Sequence, residues 1–401
     1  MTYHISDAFS KLAPSAIREI LKYSSAYPDI IAFSAGNPAP ESFPREEMAK
    51  IASDIFQNDA VSALQYGTSE GYGPLRETLA SRLQNQKGMD IRRNTLVVTS
   101  GGQQALELAC RVLCSPGDTV LCEDPTFIGA LNAFRAAGAK TVGVAMDDEG
   151  MNPEALERAL RKHTRARMIY LIPNFQNPRG SCTSYERRRV LYEIAVRYGV
   201  VILEDDPYGE IRFSGTSIPS IKSFDTEENR AVIYCSSFSK LLSAGMRVGY
   251  ALAPEEIAAK MVVGKQCEDV HTNMFFQMLC HRFMTEYDFD SHLERVRSLY
   301  RHKSAVMLDA LDRYMPSELI SYTRPEGGLF VFCELKGDIN PDVFLRTALA
   351  RKVAVVPGQV FSPGNDTCYK CFRMTYATPS DEQIERGVRI LAESMTPIES
   401  N

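Results

Sequence analysis

From residue 95 to 255 the chain repeats one pattern: a short unbroken apolar run, a turn, then a stretch with apolar residues three and four apart. The runs fall at residues 96–99, 119–122, 167–172, 200–203, 231–235 and 248–252. They lack alternation of apolar and polar positions, as strands covered on both faces do. The stretches between them, 103–113, 128–137, 153–161 and 184–198, have helical periodicity. Strand and helix taking turns predict an α/β fold, with a mostly parallel sheet flanked by helices. In such sheets ligands bind beyond the carboxyl ends of the strands.

After residue 285 the texture changes. A charged amphipathic helix over 290–314 leads to strand-like segments at 327–334, 353–356 and 371–375, the signature of a smaller α+β domain. A chain of 401 residues exceeds one ordinary core. The expected division is a large domain over 46–285 and a small C-terminal domain over 286–401. The N-terminal segment 1–45 has a helix pattern at 15–23 and the prolines of Asn37-Pro-Ala-Pro40; it is expected to pack on the small domain and the cleft.

Net charge is −5, which leaves no cation excess for a nucleic-acid backbone. No apolar stretch is long enough for a bilayer, and Met-Thr-Tyr-His-Ile-Ser-Asp at the start lacks the regions of a signal peptide. Cytoplasm is therefore expected. Of the ten cysteines, most sit singly among apolar neighbours, as small buried thiols do. Cys368-Tyr-Lys-Cys371 is the one CxxC; without a second pair or a nearby His it argues against zinc, so no metal is expected. Reduced thiols agree with the cytoplasm.

Lys240 closes Ser-Ser-Phe-Ser-Lys (236–240) at the mouth of the predicted sheet, and Arg247 opens the next apolar segment. A lysine so placed can hold an aldehyde as a Schiff base while Ser237, Ser239 and Arg247 grip a phosphate on the same molecule. Alone, such a lysine is more often a snorkelling surface side chain. Thr99-Ser-Gly-Gly-Gln-Gln-Ala105 follows a strand and opens a helix, so Gly101, Gly102 and Gln103 can cradle that phosphate, although glycines also simply make tight turns.

Glu204-Asp-Asp-Pro-Tyr208 ends another strand. Asp205 can face a protonated ring nitrogen and keep it charged, with Tyr208 bonding a ring oxygen. A solvated loop or helix N-cap is the plainer reading of the cluster, and suffices for Glu204 and Asp206. In Pro173-Asn-Phe-Gln-Asn-Pro-Arg-Gly180, Asn177 can donate to a phenolate oxygen and to a substrate carboxylate, while the prolines are also turn punctuation. Phe127 can stack on a flat ring, or be core. Arg373, inside Cys371-Phe-Arg-Met-Thr-Tyr376, puts a charge in a strand and needs an anion, either a substrate carboxylate or a structural ion pair.

This ordered set, Ser-Gly-Gly-Gln, Asn-Pro-Arg-Gly, Asp-Asp-Pro-Tyr, Ser-Phe-Ser-Lys, Arg247 and Arg373, resembles pyridoxal-phosphate-dependent aminotransferases of fold type I. Ile17-Arg-Glu-Ile-Leu21, Gly36-Asn-Pro-Ala-Pro40, Leu64-Gln-Tyr-Gly-Thr-Ser-Glu-Gly71 and Tyr322-Thr-Arg-Pro-Glu-Gly-Gly328 look like the 2-aminoadipate/kynurenine aminotransferase subgroup. The resemblance implies a seven-stranded, mostly parallel sheet in the large domain and pyridoxal 5'-phosphate as cofactor. It implies that Lys240 forms the Schiff base, Asp205 faces the ring nitrogen, Tyr208 and Asn177 the ring oxygen, and Phe127 the ring face, where many relatives have Tyr. Gly101, Gly102, Gln103, Ser237, Ser239 and Arg247 would surround the phosphate. Tyr66 would reach the phosphate of a neighbouring subunit, which makes a homodimer the functional unit. Arg373 would clamp the α-carboxylate with help from the Gly36 backbone, and Arg18 would read a distal carboxylate.

The implied reaction is a ping-pong exchange of an amino group between an L-amino acid (2-aminoadipate-like, aromatic or branched) and a 2-oxo acid such as 2-oxoglutarate. A lyase or decarboxylase would use the same cofactor groups. A non-catalytic amino-acid sensor of this fold would need a DNA-binding domain ahead of residue 15, and the charge does not favour one. Gly71-Tyr-Gly-Pro-Leu-Arg76 lacks the third glycine of a dinucleotide-binding motif and follows no clear strand.

Overall fold

The computed structural model describes residues 3–5, 7–10, 27, 29–364 and 368–395. Its centre is an eight-stranded sheet in the order Asn94–Thr99, Gly249–Pro254, Val232–Ser237, Val201–Asp205, Ala166–Leu171, Thr119–Asp124, Lys140–Asp147 and Gly150–Met151. Seven of these are long, and the two-residue Gly150–Met151 strand merely folds back on Lys140–Asp147. The five strands from Val232–Ser237 to Lys140–Asp147 pair in parallel, and Gly249–Pro254 runs against both of its neighbours. The unbroken apolar runs became these strands because both faces are covered. Leu121, Cys122, Ile169, Tyr170, Ile202, Leu203, Ile233 and Tyr234 are all fully buried. Burial of each large aliphatic side chain contributes roughly 1.5–3 kcal/mol.

The helices Gly102–Leu113, Ile128–Ala136, Pro153–Lys162 and Tyr185–Tyr198 follow the predicted stretches closely. Their ends have local causes. Asn152 and Ser184 accept backbone N–H bonds as N-caps, and Gly199 ends its helix at φ 63°. Lys140–Asp147 is a strand that the apolar pattern did not reveal, since near the sheet edge most of its side chains are partly exposed.

A separate four-stranded antiparallel sheet has the order Ile320–Tyr322, Phe330–Leu335, Cys371–Thr375, Val356–Pro357. The long helix Phe289–Tyr314 and the helix Asp381–Glu393 pack together beside it. The expected strand at 353–356 is divided: Val353–Ala354 pairs in parallel with Ile31–Ala32, while Val356–Pro357 pairs with Cys371–Thr375. Thr375 N–H donates to Phe33 O at 2.9 Å, so residues 31–36 are stitched alongside Arg373. The helix expected at 15–23 lies outside the described residues. No helix among the described residues is long and apolar enough to cross a membrane.

Candidate active site

Register aligns the strand ends that form the cleft. Gly249 lies opposite both Thr99 and Ser237, and Asp205 lies opposite Cys235. At the first of these ends Gly101, at φ 78°, turns the chain into the helix Gly102–Leu113, whose first turn has no side-chain cap. Its leading N–H groups, at Gly102 and Gln103, suit an anion. The φ of 78° favours glycine here, and a Cβ on Gly101 would lie 2.2 Å from Arg247 Nη2 and push the guanidinium aside.

Arg247 holds φ 55°, a conformation that costs a non-glycine residue about 1–2 kcal/mol. Its guanidinium donates to Ala244 O at 3.1 Å, Ser100 O at 3.4 Å and Ser239 Oγ at 3.5 Å. All three acceptors are neutral, and no carboxylate among the described residues pairs with it. Ser237 Oγ, buried, accepts from Ser239 N at 3.3 Å. Gln103 Nε2 donates to Gly129 O at 2.7 Å, and a Cβ on Gly129 would strike the Phe127 ring at 2.3 Å. Gly101, Gly102, Gln103, Phe127, Ser237, Ser239 and Arg247 therefore form one group.

Asp205 ends its strand buried and accepts Tyr170 Oη–H at 2.7 Å. Burial pushes its carboxyl up to about 7 against the Tyr170 bond, and the neighbouring Asp206 adds to the rise. Neither Glu204 nor Asp206 is solvated. Glu204 accepts from Ser220 Oγ, Ile221 N and Lys222 N. Asp206 accepts Gly209 N–H at 2.9 Å, capping the turn that begins at Tyr208, and also bonds Asn174 and Tyr234. A solvated loop is thus corrected to a buried, fully bonded ledge.

The opposite end gathers around Arg373, 1% exposed, with its guanidinium 4.0 Å from the Phe330 ring centre and 5.2 Å from that of Phe361. Nη1 donates to Asn177 Oδ1 at 2.8 Å and Nη2 to Ser34 O at 3.2 Å, while Nε has no partner. No carboxylate among the described residues pairs with it, so the structural ion pair considered from sequence is not what balances this charge. Burial lowers Arg373 to about 10, opposed by the nearby Tyr208 phenol. Tyr208, also buried, is raised by that burial and bonds Asn177. The loop bearing Asn177 is fixed by close packing: a Cβ on Gly327 would meet the Phe175 ring at 2.3 Å, and one on Gly328 would meet Phe175 Cβ at 2.6 Å.

Lys240 joins the two ends. Its Nζ donates to Gly36 O at 2.6 Å, and the space beside Gly36 opens toward Arg373 Nη2, 4.0 Å from an added Cβ. Burial first, then the Arg373 and Arg247 charges, lower the amine to about 8. Tyr66 stands apart in this single chain, 80% exposed and edge-on to His271. Arg18 lies outside the described residues. Sequence reasoning overlooked Tyr170, whose place inside an apolar run gave no sign of a polar role, and the rings of Phe330 and Phe361.

Pyridoxal phosphate fits these residues on two counts, a lysine amine of lowered basicity and an anion cradle beside Gly101, while the orphaned buried guanidinium atom of Arg373 suits the carboxylate of an amino acid. Comparison with known proteins agrees. Residues 28–391 match the family model of aminotransferase class I and II. The chain is 41% identical to a 2-aminoadipate transaminase of Thermus thermophilus over 97% of each chain. It is 37% identical to aromatic-amino-acid aminotransferase 1 of Thermococcus litoralis, covering 98% of this chain and 94% of that one. Among solved structures, a Pyrococcus horikoshii kynurenine aminotransferase superposes with TM-score 0.93 at 36% identity, covering 99% and 98% of the two chains. An α-aminoadipate aminotransferase of Thermus thermophilus, complexed with N-(5'-phosphopyridoxyl)-L-leucine, gives 0.87 at 39% over 98% and 97%. The chain belongs to the class I and II aminotransferases, enzymes of fold type I that use pyridoxal phosphate to move an amino group between an L-amino acid and a 2-oxo acid.

Proposed function

We propose that Lys240 is the amine that holds the cofactor and moves the substrate proton. The support is one juxtaposition: its amine, lowered to about 8, shares a cleft with the buried, counter-ion-free guanidinium of Arg373. When bound, pyridoxal phosphate supplies an aldehyde that exchanges amines and a ring that accepts the electron pair released at the substrate α-carbon. Lys240 Nζ would be the base that takes the substrate α-proton and the acid that returns it two atoms away, at the former aldehyde carbon across the nitrogen. Asp205 faces the ring nitrogen, where a cation restores the charge that burial opposes. Because Arg373 can only donate, it orients Asn177 with Oδ1 toward itself, leaving the Asn177 amide N–H and the Tyr208 hydroxyl for the ring oxygen. Phe127 covers the ring face. Gly101, Gly102, Gln103, Ser237, Ser239 and Arg247 hold the phosphate, and Arg373 with the Gly36 backbone holds the α-carboxylate.

The site is completed by a second copy of the chain. Val61, Leu64 and Tyr66 are 79%, 72% and 80% exposed, an apolar stretch suited to a homodimer in which Tyr66 reaches the partner's phosphate. We divide the chain into the segment 1–45, a large domain over 46–285 and a small domain over 286–401. Ten cysteines without a disulfide among the described residues support the cytoplasm. Arg18 is assigned to the distal carboxylate of 2-aminoadipate-like donors.

Absorbance spectroscopy tests the assignment. The purified protein should be coloured, bleached by an amino donor and restored by a 2-oxo acid. Lys240→Ala should lower exchange by about 10⁴-fold. A variant that keeps both the colour change and the exchange would remove Lys240 from the reaction.

A further inference from the structure

A second buried lysine lies behind the cradle, and the reaction has no use for it. Lys265, on the helix Glu255–Glu268, is 0% exposed. Its ammonium directs all its donors into protein: Gln104 Oε1 at 3.1 Å, Asp269 Oδ1 at 2.9 Å and Thr272 Oγ1 at 2.8 Å. All three of these residues also hold Ser100, Thr272 Oγ1 lying 3.4 Å from Ser100 Oγ. Gln104 Oε1 accepts Ser100 N–H at 2.8 Å, and Asp269 Oδ2 accepts Ser100 Oγ–H at 2.6 Å. Ser100 directly precedes Gly101 and Gly102, and its carbonyl accepts from Arg247 Nη2 at 3.4 Å. Every polar group of Ser100 is thus bound, and three of its four bonds end on partners of Lys265.

The plain alternative is a buried ion pair that serves stability alone. Such a pair needs only its two charges, and apolar groups of similar volume often replace it without loss. Here the pair also sets the residue from which the cradle springs. The helices Glu255–Glu268 and Gly102–Leu113 pack against each other here, Gly264 facing Leu108. The Asp269 carboxylate offsets the Lys265 charge, so geometry rather than added positive potential is what reaches the anion.

We propose that Lys265 is a positioning residue for the cofactor phosphate, aiming the Gly102 and Gln103 N–H groups by locking Ser100 through Gln104 and Asp269. The proposal rests on the reading that this cradle takes the phosphate. Pyridoxal phosphate and pyridoxal differ only in that group, so the test titrates both into the cofactor-stripped full chain. Ser100→Ala removes the hydroxyl links to Asp269 and Thr272 without stranding a buried charge, and Lys265→Met combined with Asp269→Asn replaces the pair by neutral groups of similar volume. Each change should weaken pyridoxal phosphate about 5-fold and leave pyridoxal unchanged. Competition by inorganic phosphate should weaken in parallel. Equal losses for both vitamers, or a lowered melting temperature with no change in their ratio, would reduce Lys265 to a stabilising residue. Should the double variant not fold, Ser100→Ala decides alone. A wild-type protein indifferent to the phosphate would instead overturn the cradle reading itself, a result distinct from the others.

Discussion

At one end of the cleft the phosphate would meet backbone N–H groups and an exposed Arg247; at the other the substrate carboxylate would meet Arg373, 1% exposed between two phenyl rings. Near water, each charge–charge contact is weak, and affinity has to come from many of them. In the dry end one contact is strong, and leaving it unmade is costly. The difference suits the two occupants. A cofactor that stays through many turnovers needs summed, modest contacts. A substrate exchanged twice per cycle needs a site that penalises any ligand lacking a carboxylate, and an unpaired buried guanidinium does so.

Removing the dry contact should have the larger effect. Arg373→Ala deletes a desolvated charge pair with the substrate, a loss of about 2–5 kcal/mol. Steady-state kcat/KM should accordingly fall by about 30- to 5,000-fold, with cofactor affinity unaltered. A comparable fall in cofactor affinity would show that the two ends are not separable. Arg247→Ala should do the converse. It deletes one exposed charged contact among several, so pyridoxal phosphate should bind about 10-fold more weakly, while kcat/KM at saturating cofactor hardly changes. Loss of turnover at saturation would mean that Arg247 acts beyond the phosphate end.

The same contrast explains what could be read from the chain beforehand. Residues whose type is dictated by local chemistry stood out: glycines where a Cβ would collide, a lysine after a strand, an arginine inside one. Strands buried on both faces were equally plain. Lys140–Asp147 was not, because edge exposure breaks up its apolar run. The acidic ledge was misjudged for another reason. Asp206 does cap a local turn through Gly209 N–H, but its burial and that of Glu204 come from donors on distant loops and strands, Ser220, Ile221, Lys222, Asn174 and Tyr234, which nothing near them in the chain foretells. Lys265 was passed over likewise, since a helical lysine usually faces water. Tyr66, exposed on the single chain, gains a role only in the homodimer proposed above.

Lys240 feels both ends at once, and its titration gives the finest measure of their difference. Its amine is lowered by burial, then by Arg373, then by Arg247, to about 8. Only the neutral amine attacks the cofactor aldehyde, so capture by the stripped protein should quicken as pH rises through 8 and then level off. Between pH 8 and pH 9 the neutral fraction of such an amine grows only about 1.8-fold, whereas an ordinary lysine would gain about 10-fold. Stopped-flow absorbance resolves the two. Arg373→Ala should move the midpoint upward more than Arg247→Ala, because a charge beside a dry cavity is felt more strongly than one facing water. A midpoint near that of free lysine, or a larger shift from Arg247→Ala, would mean that the cleft is wetter at its carboxylate end than the burial of Arg373 requires.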